Sequence, residues 1–88
     1  MPNNLSAAKR QRQNEKRRLR NRMVRSRIRT AAKKIRILVR EGNREEAEKN
    51  LKEYLSLVDR AVSKGVYHRN TAARKKSRMS GYLKKSFS

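Results

Sequence analysis

Cysteine is missing altogether from this 88-residue chain. No disulfide framework and no thiolate-ligated metal can form, which fits a reducing compartment. Tryptophan is also absent, and the aromatics are three tyrosines and one phenylalanine. That is too few for a platform of stacked bases, so any polynucleotide is expected to be read by backbone and shape more than by sequence. No apolar run approaches the roughly 20 residues that cross a bilayer. The start, Met1-Pro2-Asn3-Asn4-Leu5-Ser6, leads into charge rather than an apolar stretch, so no secretory leader is expected and the cytoplasm is the expected location. Catalytic constellations are lacking too. There is no glycine-rich phosphate loop, no nucleophile with a paired base, and one histidine, His68, without metal-ligating neighbours. Neither enzyme activity nor a cofactor is expected. The scarcest commodity is negative charge: seven acids stand against 27 Lys and Arg, a formal net charge of +20. A chain this short and this basic repels itself, and a polyanionic partner is implied.

Breakers are equally sparse, namely Pro2, Gly42, Gly65 and Gly81. Gly42-Asn43 and Gly65 divide the chain into three helix-compatible segments, because glycine readily supplies the left-handed residue that ends a helix. The expectation is a single all-α domain spanning 1–88, with helices at about 6–41, 44–64 and 68–85, Ser6 capping the first. Periodicity agrees. Val24, Ile28, Ala31, Ile35 and Leu38 recur at steps of four and three, flanked by Ala32 and Val39. Ala47, Leu51, Tyr54, Val58 and Ala61 repeat those steps with Leu55 and Val62 alongside, and Ala72, Met79 and Leu83 form a weaker third stripe with Ala73 and Lys76 in its gap. Three such stripes bury one another as a small three-helix bundle. From Lys9 to Arg18 no apolar residue occurs. A helix of about 35 residues is roughly 50 Å long, so its N-terminal half projects beyond the core as an arm. Like charges such as Arg12/Lys16, Arg18/Arg22 and Arg25/Arg29 cost about 0.2–0.5 kcal/mol each. The arm is therefore expected to fray when free and to become helical on phosphate.

Charge is segregated. Lys9 to Arg40 holds fifteen basic residues and one acid, Glu15, and Lys64 to the end holds eight basic residues and no acid. The other six acids lie in or beside the second segment. On the first helix Arg18, Arg22, Arg25, Arg29, Lys33 and Arg36 are expected to line the face opposite the apolar stripe, with Lys16, Arg20, Arg27 and Lys34 along one flank. Solvated faces normally mix both signs, whereas this one does not. Cations ranked along a helix displace condensed counterions from a phosphate backbone, and the planar arginine fork suits bidentate contact. Lys9, Arg10, Arg12 and Arg17 extend the candidate surface along the arm. A second patch comprises Arg69, Arg74, Lys75, Lys76, Ser77 and Arg78, where Ser77 and Gly81 let a sugar-phosphate backbone approach; the plainer reading is that Ser77, Ser80 and Gly81 mark a weak helix end. In Val66-Tyr67-His68-Arg69-Asn70-Thr71, Asn70 or Thr71 is expected to cap the third helix. Tyr67 is expected to pack, and His68 either to pack or to meet RNA.

Glu15-Lys16-Arg17-Arg18-Leu19-Arg20-Asn21, Ser26-Arg27-Ile28-Arg29-Thr30-Ala31-Ala32-Lys33-Lys34 and, above all, Lys64-Gly65-Val66-Tyr67-His68-Arg69-Asn70-Thr71-Ala72-Ala73-Arg74-Lys75-Lys76-Ser77-Arg78 closely resemble ribosomal protein twenty of the bacterial small subunit. The resemblance spans nearly the whole chain and is weakest in the second helix. It implies a three-helix bundle with an extended first helix that binds 16S rRNA directly. It further implies contacts to the 5′ domain and to the long stem of the 3′ minor domain, at the bottom of the small-subunit body, and a role in assembly. The corresponding contacts would be the basic positions already chosen, in the bacterial cytoplasm or its plastid equivalent, with no membrane and no homo-oligomer.

Two other classes compete. A basic-zipper transcription factor also places a basic helix before an apolar heptad, but Gly42 cuts the zipper after little more than two heptads. Asn21 and Ser26-Arg27 echo a DNA-reading basic region at the wrong spacing. A membrane-active cationic helix needs a large apolar face, which the arm lacks.

Overall fold

The computed structural model describes residues 3–88, with side chains from Ser6 onward; Met1 and Pro2, at the expected leaderless start, lie outside the described residues. The architecture is all-α, with α1 (Asn3–Arg40), α2 (Arg44–Ser63) and α3 (Arg69–Ser86) and no strand among the described residues. Ser6 sits inside α1 rather than at its cap. Neither glycine nor proline falls between Asn3 and Gly42, so nothing in that stretch stops a helix.

Both helix ends expected at glycine are Schellman turns. Gly42 adopts φ 72° and Gly65 φ 75°. At the first, the Gly42 N–H donates to the Val39 carbonyl at 3.0 Å and Asn43 N–H to Leu38 at 2.9 Å. At the second, Gly65 donates to Val62 at 3.0 Å and Val66 to Ala61 at 2.8 Å. These bonds satisfy carbonyls that the helix ends leave without partners. Asn43 then caps α2, its side chain accepting from the Glu46 N–H at 3.3 Å. Glu45 and Glu46 in the first turn and Arg60 in the last complement the α2 dipole.

The core joins Ile28 and Ile35 of α1, Ala47, Tyr54, Val58 and Ala61 of α2, and Ala72, Met79 and Leu83 of α3. Ile35 and Val58 are wholly enclosed, and burial of such side chains contributes about 1.5–3 kcal/mol each. Val24, Ala31, Ala32, Leu38, Val39, Leu51, Leu55 and Val62 pack around them. Of the residues in the α3 gap, Ala73 is exposed and Lys76 half-buried, so the third stripe is as thin as its spacing suggests. Asn50 is a buried polar side chain that apolar periodicity does not anticipate; its amide donates to the Glu46 carbonyl at 2.7 Å. Among the described residues one ion pair ties two helices, Lys76 to Asp59 at 2.8 Å.

Two features of this packing matter for function. From Ser6 to Arg20 every residue is exposed, so half of α1 leaves the core as an arm. A helix of 38 residues is about 57 Å long, and it dominates a molecule measuring 65 × 22 × 13 Å. The radius of gyration is 17.6 Å, against about 12 Å for a compact chain of this length. The second feature is uneven packing: α2 is the hub, while α1 and α3 touch each other least and leave a cleft between them.

Candidate nucleic-acid interface

An α-helix advances about 100° per residue, so the buried Ile28 and Ile35 fix where every α1 side chain points. On that frame Arg22, Arg25, Arg29 and Arg36 stand about a quarter turn from the core stripe, on the side of α3. The sequence expectation set these four, with Arg18 and Lys33, on the opposite face; the structure moves the four to a flank and leaves Lys33 near the far edge, at the rim of the cleft. Arg25, Arg29, Lys33 and Arg36 line the α1–α3 cleft, a space of about 360 Å³, together with Tyr54, Tyr67, Lys75 and Met79. Arg78 and Tyr82 continue it toward the end of α3. The row is a flank because the core stripe, running from Val24 through Ala32, is itself wide, and a helix offers only a narrow far edge.

The cleft brings together cations that lie 39 to 53 residues apart in sequence, and no acid is among the residues that line it. Tyr54, almost fully buried at 4% exposure, forms part of its wall. Burial pushes the Tyr54 phenol above its ordinary pKa of 10.0, neighbouring Tyr67 pushes the same way, and Arg36 pulls back. The Lys75 ammonium sits 5.2 Å from the centre of the Tyr67 ring, which holds that cation toward the cleft. The tyrosines are the residues that composition led one to discount. A signal for one of them was present, since Tyr82 follows Arg78 and Lys75 at steps of four and seven.

The other expected residues are placed less uniformly. Arg27 and Lys34 look toward α2, where Glu53 shares their groove. Lys9, Arg10, Arg12, Lys16, Arg17, Arg18 and Arg20 are all exposed around the arm. Arg20 reaches back to the Lys64 carbonyl at 3.5 Å, just past the end of α2. On α3, Arg69, Arg74, Ser77 and Arg78 are exposed, and the helix continues past Gly81 to Ser86, so these small residues do not mark its end. A methyl placed on Gly81 would meet nothing within 4 Å, which leaves that side open to a partner. Lys76 points the other way, into its Asp59 pair.

His68 settles the capping question. Its Nδ1 accepts from the Asn70 N–H at 3.1 Å, making His68 the α3 N-cap in place of Asn70 or Thr71. The physical reason is that an extended residue with an acceptor one position before the helix competes for the same donors. Its ring is exposed rather than packed on the bundle, whereas Tyr67 is half-buried against the core.

The comparisons with known proteins agree along nearly the whole chain. The family model for "Ribosomal protein S20" matches residues 2–84. The chain belongs to the ribosomal protein S20 family. Among relatives called small ribosomal subunit protein bS20, that of Thermomicrobium roseum is 51% identical over 79 residues, covering 90% of this chain and 80% of its own. That of Acidithiobacillus ferrooxidans is 49% identical over 84 residues, covering 96% and 92%. The Nitrosomonas eutropha protein is 45% identical across 96% of this chain and 97% of its own. An S20 family member is a protein of the small ribosomal subunit and not an enzyme, and its place is the ribosome, in the cytoplasm. Among the described residues no helix is long and apolar enough to cross a membrane.

Proposed function

We propose that this S20 family member binds 16S rRNA directly through the basic sides of α1 and α3, stabilising the folded RNA as the small subunit assembles. The observation that carries this reading is the one-signed cleft, in which Arg25, Arg29, Lys33, Arg36, Lys75 and Arg78 converge without a carboxylate. Such a concentration of like charge opposes folding, and a phosphate backbone relieves it. The arm residues Lys9 to Arg20 add a second reach of contacts, Arg69, Asn70, Arg74 and Ser77 extend the basic surface along the outer side of α3, and Arg27 and Lys34 offer cations on the α2 side of α1. Two separated basic regions suit two separate RNA elements, here the 5′ domain and the long stem of the 3′ minor domain.

The test is a salt titration of binding to 16S rRNA transcripts, to duplex DNA and to anionic vesicles. Tight binding confined to the transcripts, with a steep slope against salt, is the expected result. Equal affinity for DNA or vesicles would defeat the proposal.

A further inference from the structure

The far edge of α1 carries side chains that the core does not use and that, Lys33 apart, the cleft does not use either. Leu19, Met23 and Ile37 are 58%, 55% and 52% exposed, the most exposed large apolar side chains among the described residues. They are not scattered. With Ser26, Thr30 and Lys33 they recur at steps of four, three, four, three and four, which is one line along a helix. At about 1.5 Å per residue this line runs about 27 Å from Leu19 to Ile37. Cations stand about a quarter turn to either side: Arg22, Arg25, Arg29 and Arg36 toward α3, and Arg20, Arg27 and Lys34 toward α2. No acid of α1 falls on the edge or on either rail between Leu19 and Ile37; Glu53 of α2 lies beside the rail of Arg27 and Lys34.

We propose that this edge of α1 seats in the minor groove of an A-form RNA duplex, the two rails reaching the phosphates of opposite strands. The inference rests on the rRNA-binding reading above and specifies what α1 meets. An apolar ridge between two parallel cation rows has the polarity of that groove turned inside out. The A-form minor groove is wide and shallow, floored by ribose edges and 2′-hydroxyls and bordered by a phosphate chain on each side. Leu19, Met23 and Ile37 would lie on ribose C–H surface, and the Ser26 and Thr30 hydroxyls would exchange hydrogen bonds with 2′-OH groups. The deep, narrow A-form major groove excludes a helix, as does the B-DNA minor groove at about 6 Å wide. The B-DNA major groove admits a helix but is read chiefly by long polar side chains that pair with base edges; Lys33 is the one such residue of the six on this edge, and half of them are the apolar Leu19, Met23 and Ile37.

The natural absence of cysteine provides the experiment. Thr30→Cys and Ser77→Cys variants are each coupled to a tethered iron–EDTA group and bound to 16S rRNA transcripts. Thr30→Cys is expected to cut both strands of one duplex, at sites staggered toward the 3′ ends as for a minor-groove source. In parallel, Leu19→Ala/Met23→Ala/Ile37→Ala is expected to bind on the order of tenfold more weakly, the worth of about two buried methylenes, with the wild-type salt slope. Cuts from Ser77→Cys with none from Thr30→Cys would overturn the groove assignment while leaving rRNA binding intact. So would a stagger toward the 5′ ends, or a triple variant with wild-type affinity. Failure of the unmodified protein to hold the transcript would instead defeat the rRNA-binding reading itself.

Discussion

Replacing Arg25, Arg29, Lys33 and Arg36 by glutamine, singly and together, separates binding from folding in this protein. All four side chains are exposed, line the cleft and hold no ion pair among the described residues. Their removal also relieves the like-charge neighbours Arg25/Arg29 and Arg29/Lys33, each pair costing about 0.2–0.5 kcal/mol. The thermal midpoint of the quadruple variant should therefore equal or exceed that of the natural chain. Binding should move the opposite way. Each phosphate contact contributes about 0.9 to the slope of log affinity against log salt. Raising salt from about 50 to about 200 mM thus weakens binding about 3.5-fold per contact, so losing all four contacts flattens the fall by about 150-fold. Fluorescence anisotropy on a labelled 16S rRNA transcript, at four or five salt concentrations, reads this directly. A quadruple variant that is folded and keeps the wild-type slope would show that the cleft meets no phosphate.

Three further outcomes follow from the same structure. Ile35→Ala empties a fully enclosed position and should cost about 2–5 kcal/mol, out of about 4–13 kcal/mol for a chain of this length; a urea midpoint shift equivalent to less than about 1 kcal/mol would mean that the seam is not the core. The raised Tyr54 pKa marks stability that is complete below about pH 10, where unfolded tyrosine is still neutral, and is lost as pH rises through the folded value. Urea unfolding should weaken more steeply with alkali in the natural chain than in Tyr54→Phe, and parallel curves would remove burial as the cause. Finally, amides from Ser6 to Arg18 should exchange rapidly in the free protein and slowly on RNA, because every residue there is exposed and like charges accumulate; protection in the free chain equal to that of α2 would refute the fraying.

How much of this was written in the chain varies by level. The three helices were legible because apolar residues repeat at steps of three and four, and glycine stands where two helices end. The arm was legible because nothing from Lys9 to Arg18 can be buried. Helix ends were less so: Ser6 reads as a cap only if a helix must begin there, and His68 outcompeted Asn70 and Thr71 through a ring nitrogen whose reach is visible only in three dimensions. Asn50 looked like a solvent residue until α1 covered it.

By itself, then, the sequence determined the excess of cations and the number of helices, and the charge pointed to a polyanionic partner. Those properties are local or summed over the chain, and they survive any arrangement of the helices. Which cations act together was decided only by the fold. Packing α1 and α3 against α2, but hardly against each other, opened the cleft. It turned the main arginine row into one wall, paired Lys76 with Asp59, and left Leu19, Met23 and Ile37 on the far edge. Periodicity fixes angles about one helix axis, whereas the relation between axes depends on which side chains interlock.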